Sequence, residues 1–368
     1  MKRPPIVLAE TGVFCDENKD GGVALYAKHI IQGMHAQSGV KTVCFAKGIA
    51  TEFIRDLPEG TEFYISKGLP FFWRNTALKH LQKKWGCEFA WFPFQIVPWL
   101  PCMPFVATIH DYGFLRLGGD GMSIRSRLYL SACLGNTLLR SNTIISISEA
   151  TTRGIVMRFP WAKKKIVTAR HGLPDEIRAL SEKMDFLFPG KPAELFRCMF
   201  LAGENERKRF DLALLACERI SKAMPVELVV TGPEDRVKDR AQAVLGFVPP
   251  FLRCVGRLSR QQLLELYQTS HVLLYLSYFE GFGFPILEAL ALGVQVVCLP
   301  GEAEQEVGGE CAIYANPASP EKVEEKLREA FERSKNTDII QNGVRHARGY
   351  TWQRSLEVHS KALTPKVD

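Results

Sequence analysis

Short apolar runs followed by helical segments recur along this 368-residue chain in two series, with a break between them. In the first series, strand candidates are Pro5–Ala9, Val40–Ala46, Phe89–Phe92, Phe105–Ile109, Thr143–Ser146 and Ile166–Ala169. Helices are expected at Val23–Ala36, Ile124–Leu138 and Glu149–Phe159. A strand–helix–strand rhythm calls for a parallel sheet covered on both faces. The rhythm lapses over Asp175 to Ala193, which contains Pro189-Gly190-Lys191-Pro192, so a linker is expected there. A second series follows, with strands at Arg197–Leu201, Glu227–Thr231, Leu252–Val255, Val272–Ser277 and Gln295–Leu299. Its helices are expected at Phe210–Ala223, Arg260–Thr269, Pro285–Leu292 and Pro320–Ser334. A last helix, about Thr351–Leu363, is expected to cross back onto the first half. The fold class is therefore α/β, with two doubly wound, Rossmann-like domains and a cleft between them. The domains are expected at 1–174, with the helix of 351–368, and at 192–350.

Charge divides the same way. The net charge is +7, but residues 1–173 hold 22 Lys and Arg against 12 Asp and Glu, and the remainder hold 25 against 28. A basic front half suits an anionic partner, or is a solvated surface. No run of 18 apolar residues suggests a membrane span, and the start is charged too soon for a signal peptide. The ten cysteines form no Cys-x-x-Cys pair, and Cys44, Cys217 and Cys298 lie in apolar runs. They read as reduced core residues of a cytoplasmic protein.

Several loops carry the chemistry. Glu280-Gly281-Phe282-Gly283-Phe284-Pro285-Ile286-Leu287-Glu288 lies between a buried strand and a helix. Open α/β sheets bind ligands at such handovers. Pro285 suits the first helical position, and Glu288 is then expected in the first turn. Glu288 would suit a ribose diol and Glu280 a sugar; otherwise both are plain turn and helix-start glutamates. Arg207, Lys208 and Arg209 precede a helix, where cations oppose the dipole, so a diphosphate would relieve them. The alternative is a solvated basic turn. Asp20-Gly21-Gly22 before a helix suits phosphate approach or is an ordinary loop. Thr108-Ile109-His110-Asp111 ends a strand at the ligand-facing edge, although a lone histidine is more often structural. Within Gly68–Trp85, Trp73, Ala77, Leu81 and Trp85 recur at helical spacing among Arg74, Lys79, Lys83 and Lys84. That segment reads equally as a basic amphipathic helix on an anionic membrane or as a helix packed on the core. No RNA-binding motif accompanies the charge, so no nucleic-acid partner is expected.

The stretch Phe279 to Ala289 resembles the Glu-x7-Glu signature of family-4, or group 1, retaining glycosyltransferases, which have the two-domain GT-B fold. The resemblance extends to Gly21-Gly22-Val23, Thr108 to Asp111, Ser146 to Ala150, Arg207-Lys208, Gly301 to Asn316 and Tyr350-Thr351-Trp352. It implies that Lys208, with Arg207, grips a donor diphosphate and that Gly22 approaches it. Glu288 would bind the ribose. Glu280, Gly283 and Phe284 would contact the transferred sugar, with His110 near it. Many members have Gly-Arg a few residues before the lysine; here it is Gly203-Glu204, so Arg207 substitutes or Lys208 acts alone.

The implied function is retaining, metal-independent transfer of a hexose, mannose foremost, from GDP-mannose or a UDP-hexose. The acceptor would be a saccharide or a lipid-linked saccharide in bacterial lipopolysaccharide or polysaccharide synthesis. No cofactor beyond the nucleotide sugar is expected. The protein would be cytoplasmic, peripheral on the inner face of the membrane. A sugar-nucleotide epimerase, a glycosidase and a nucleotide-sugar sensor are the competing readings. A glycosidase fits poorly, because it needs two carboxyls flanking one bond.

Overall fold

The computed structural model describes residues 6–12, 22–38, 41–46, 57–66, 72–87, 89–116, 121–183 and 195–363. The chain divides into two compact units. Unit 1 holds residues 1–116, 123–172 and 351–368; unit 2 holds 117–122 and 173–350.

Unit 1 is built on seven parallel strands: β1 (Ile6–Glu10), β2 (Lys41–Ala46), β3 (Glu62–Ile65), β4 (Phe89–Phe92), β5 (Phe105–Ile109), β6 (Thr143–Ser146) and β7 (Ile166–Thr168). Their order is β3-β2-β1-β4-β5-β6-β7. Central strands read as unbroken apolar runs because helices cover both faces; β5 is buried at every position. The helix Trp73–Trp85 settles one open reading. Trp73, Ala77, Leu78 and Leu81 are buried and pack with Leu8, Val43, Phe92 and Phe105. Its apolar stripe is core, not membrane surface. Gly68 to Phe71 of that segment lie outside the described residues.

Unit 2 repeats the plan with β8 (Phe196–Phe200), β9 (Val226–Val230), β10 (Leu252–Cys254), β11 (Val272–Tyr275), β12 (Gln295–Cys298) and β13 (Ile313–Tyr314). The order is β10-β9-β8-β11-β12-β13, all parallel. Sequence order therefore reverses direction between β8 and β11, as it does between β1 and β4 in unit 1. Crevices open at the carboxyl ends of strands at such points.

Two expectations change and a third is met. Asp175–Lys183 is a helix of unit 2, not a linker, and the units divide between Gly172 and Leu173. It is tied down by Arg178, which donates to the carbonyls of Arg348 and Tyr350. Residues 184–194, including the Pro-Gly-Lys-Pro stretch, lie outside the described residues. Helices at Glu234–Leu245 and Thr337–Arg348 join those expected. The helix Trp352–Leu363 belongs to unit 1 and packs on the helix Gly22–Ser38. The approach is close: a Cβ on Gly33 would fall 2.4 Å from Leu356.

Candidate functional site

In unit 2 the candidate residues gather at the switch point between β8 and β11. The loop leaving β8 is held in an unusual shape. Ala202 and Arg209 both have left-handed backbones, with φ of 57° and 58°, which cost about 1–2 kcal/mol per non-glycine residue. Between them a short turn, Glu206–Lys208, is capped by Asn205, whose Oδ1 accepts from the Arg207 amide at 3.1 Å. The Tyr278 amide donates to the Arg207 carbonyl at 2.9 Å and ties this loop to the one after β11.

The side chains follow from that tie. Lys208 Nζ donates to Glu280 Oε1 at 2.7 Å and stands 4.7 Å over the Tyr275 ring. Arg207 Nη2 lies 3.7 Å from Glu280 Oε2. Arg209 turns away to Asp211 and stacks over Tyr278. The cations expected to oppose a helix dipole are thus matched to carboxylates. Burial pushes the Glu280 carboxyl up, but Lys208 and then Arg207 pull it below its ordinary range. Lys208 and Arg207 both bear on Glu280, with Glu304 also acting on the adjoining Tyr275, so a diphosphate entering this corner would meet two preplaced cations.

The helix Phe284–Ala291 starts beside this corner. Its N-cap Gly283 has φ +108°, a conformation that excludes most side chains and aims the helix start toward the Glu280 loop. Pro285 takes the second helical position, so Glu288 falls beyond the first turn, contrary to expectation. Glu288 is buried and both its oxygens accept protein donors. Arg260 Nη2 donates to Oε1 at 2.8 Å, and the Tyr267 hydroxyl donates to Oε2 at 3.1 Å. Arg260 Nε also donates to Glu176 Oε1 at 2.6 Å. Burial works against the Arg260 charge, yet Glu288 and then Glu176 more than restore it, so the guanidinium stays charged. Arg260, Tyr267 and Glu176 carry no motif. Their spacing from Glu288 in sequence gives no signal of this network.

Unit 1 has a different corner at the carboxyl end of its sheet. His110 follows β5, and its Nε2 hydrogen-bonds the Pro93 carbonyl at 2.7 Å. Burial lowers its pKa to about 4, so the ring is neutral at pH 7. A neutral ring donating through Nε2 keeps Nδ1 as an acceptor. Tyr26, one turn after Gly22, lies with its ring 5.0 Å from His110. The Tyr26 hydroxyl bonds Thr108 Oγ1 at 2.8 Å and His359 Nε2 at 2.5 Å. His359 Nδ1 meets the Ser355 carbonyl, so its Nε2 is the acceptor, and the Tyr26 hydroxyl donates to it. Trp91 Nε1 donates to Thr108. His171 is buried within 4.8 Å of the Tyr26 ring, measured between centroids. The helix expected from Val23 starts at Gly22 itself, whereas Asp20 and Gly21 lie outside the described residues. Tyr26, His171 and His359 were not anticipated; each is a single residue in an unremarkable run.

Among the described residues, no three His, Cys, Asp or Glu side chains are placed to hold a metal ion, and no helix is long and apolar enough to cross a membrane.

Residues 189–346, which include all of the unit 2 corner, match the family model described as glycosyl transferases group 1. That segment is similar to the group 1 glycosyltransferases. The chain is 23% identical over 255 residues to the O-antigen chain mannosyltransferase B of Escherichia coli, covering 67% of each chain. Its fold is that of WaaG, a glycosyltransferase involved in lipopolysaccharide biosynthesis, at a TM-score of 0.67. The identity there is 18%, covering 98% of this chain and 99% of that one. Anabaena HepE, solved in complex with UDP and glucose, gives a TM-score of 0.68 at 16% identity, covering 98% and 99%. The chain thus shares the GT-B fold, with its two Rossmann-like sheets.

Proposed function

We propose that this chain is a glycosyltransferase that moves a hexose, with retention of its anomeric configuration, from a nucleotide diphosphate sugar to a saccharide or lipid-linked acceptor in cell-surface polysaccharide synthesis. The pairing of Lys208 and Arg207 with Glu280 at the β8–β11 switch point carries this reading. The mannosyltransferase and lipopolysaccharide relatives support mannose and a surface glycan; GDP-mannose is the leading donor and a UDP-hexose the second.

In this mechanism the acceptor hydroxyl attacks on the face the nucleotide leaves. The anomeric carbon–oxygen bond to the diphosphate breaks, and the leaving phosphate takes the acceptor proton. Lys208 and Arg207 offset the charge that grows on the diphosphate, in a site where little reorganisation is needed. Arg207 supplies the second cation that Glu204 does not. Glu280, kept ionised by these cations, accepts hydroxyls of the transferred hexose. Gly283 and Phe284 at the helix start add backbone dipoles. Glu288 binds the ribose diol through its remaining lone pairs, held in place by Arg260 and Tyr267. Gly22 is assigned to the diphosphate, and His110 acts as a neutral hydrogen-bonding group for the saccharide. The roles need no metal, so EDTA should leave turnover unchanged; collapse that magnesium restores would remove that part.

The deciding experiment is a melting-shift screen with GDP-mannose and UDP-hexoses, followed by product analysis by NMR. A donor that raises the melting temperature and yields transferred sugar of unchanged anomeric configuration is the expected result. A free epimer, an inverted product or binding without turnover overturns it.

A further inference from the structure

Two tyrosines at the carboxyl end of β11 each carry a cation on the ring, but they differ in what covers the remainder. Tyr275 lies under Lys208 and is 4% exposed. Tyr278 lies under Arg209, whose guanidinium carbon is 4.6 Å from the ring centroid, and is 50% exposed. Among the described residues, no second ring or cation stacks on Tyr278. Three devices fix its position. Its amide donates to the Arg207 carbonyl at 2.9 Å. Arg209 is clamped by Asp211: Nε donates to Oδ1 and Oδ2 at 3.1 Å and Nη2 to Oδ2 at 3.0 Å. Arg209 also caps the helix Phe210–Ser221 at φ 58°, a costly backbone for a residue with a Cβ. Strain of this kind gathers at ligand clamps. A ring fastened in this way is a preorganised flat surface, so an occupant orders little on arrival.

Which part of a substrate meets this ring follows from the two faces of the sheet. Cys198 and Phe200 share a core with Phe210 and Leu214, so the helix Phe210–Ser221 covers their face of β8. Arg197 points to the other face, because successive strand residues alternate. There its Nη1 meets the Thr269 carbonyl at the end of the helix Arg260–Thr269. Glu288 is held from that second face by Arg260 and Tyr267, whereas Tyr278 is held from the first by Arg209. A donor with its ribose at Glu288, its diphosphate at Lys208 and Arg207 and its hexose at Glu280 therefore ends before Tyr278. Its base lies beyond the ribose, on the far side. What meets the hexose from the Tyr278 side is the acceptor. A pyranose has a face built mostly of C–H groups, and an aromatic ring turns its negative π face to them. A phosphate gains nothing from that face.

We propose that Tyr278 is a stacking platform for a sugar ring of the acceptor. The attacking hydroxyl then belongs to a saccharide, not to a bare lipid phosphate or a protein side chain. This rests on the glycosyl-transfer reading of the Glu280 corner and names the acceptor class for it.

The test is saturation-transfer difference NMR on the full chain with the methyl α-glycosides of mannose, glucose, galactose and N-acetylglucosamine, in the presence of GDP or UDP. The wild-type chain should bind at least one glycoside, with the strongest transfer at the protons of one ring face. Tyr278→Ala should bind it about 10-fold more weakly, and Tyr278→Phe, which keeps the ring, within about 2-fold of wild type. The melting shift produced by the nucleotide should be the same in all three. Absence of glycoside binding by the wild type overturns the proposal, as does undiminished binding by the alanine variant. Loss of the nucleotide shift in Tyr278→Ala also overturns it and assigns the ring to the base. A wild-type chain with no nucleotide shift but Tyr278-dependent glycoside binding ends the glycosyl-transfer reading and leaves the platform standing.

Discussion

The two sheets share a topology but arrange their carboxyl ends by opposite means. In unit 2 the switch point is ionic: Lys208 and Arg207 on Glu280, Arg260 on Glu288. In unit 1 a neutral relay runs from Trp91 through Thr108 and Tyr26 to His359, with His110 and His171 beside it, and the buried Glu10 at the end of β1 lies 3.8 Å from Arg74. Burial raises the cost of any charge placed there, so the histidines stay uncharged and serve as oriented dipoles. In unit 2 the same cost is met by pairing, which keeps charges available for an anionic ligand. One fold thus offers a corner suited to hydroxyls and another suited to phosphate.

The sharpest way to break this contrast is to remove the ionic side. Lys208→Ala should reduce turnover roughly 100-fold or more, the loss expected for a stabiliser of transition-state charge. Steady-state kinetics with saturating donor checks it, and wild-type turnover would end the assignment. Acid tests the neutral side. The folded pKa of His359, about 4, lies below its ordinary 6.5. The unfolded chain therefore binds more protons between those values. Stability from this residue is full above pH 6.5 and is lost as pH falls toward 4, on the order of 3 kcal/mol. Glu280 behaves the other way in position: its contribution holds above its ordinary 4.5 and is lost only as pH falls through its lower folded value. Urea unfolding at stepped pH should show weakening that starts near pH 6.5, and a His359→Gln variant should reduce that slope, with the rest carried by His110 and His171.

Smaller effects refine the comparison. Arg260→Gln leaves the buried Glu288 with Tyr267 but no cation, so a loss of about 2 kcal/mol in stability is expected, with weaker donor binding. The urea midpoint and donor KM read both; an unchanged midpoint would show that the pair is not needed. Gly283→Ala must adopt φ +108° and carry a Cβ 3.2 Å from Ile286. It should cost about 1–2 kcal/mol by thermal unfolding, and a neutral result would mean that the loop relaxes easily.

Much of the framework was legible because strands buried on both faces show as continuous apolar runs, as at Val272 to Tyr275. The edge strands were not. Glu62–Ile65 is half-wet and β13 has two residues, so neither leaves a pattern. Glu234–Leu245 was readable, since Val237, Ala241, Val244 and Leu245 recur at helical spacing and pack on the core. Ile340, Gly343, Val344 and Ala347 recur in the same way, so that helix was readable too. At the site, the loops holding Lys208 and Glu280 follow from their place after strands. The Arg260–Glu288 and Tyr26–His359 pairs do not, because each joins residues far apart whose meeting depends on packing.

Helix 352–363 brings its own consequence for synthesis. His359 closes the Tyr26 relay, and Leu356 fills the space Gly33 leaves. The unit that begins at the amino terminus is therefore completed last. While the ribosome is still adding residues before 351, the second sheet has every strand it needs, and the first waits with its groove open. A stop codon placed after Tyr350 would damage the part of the protein made earliest.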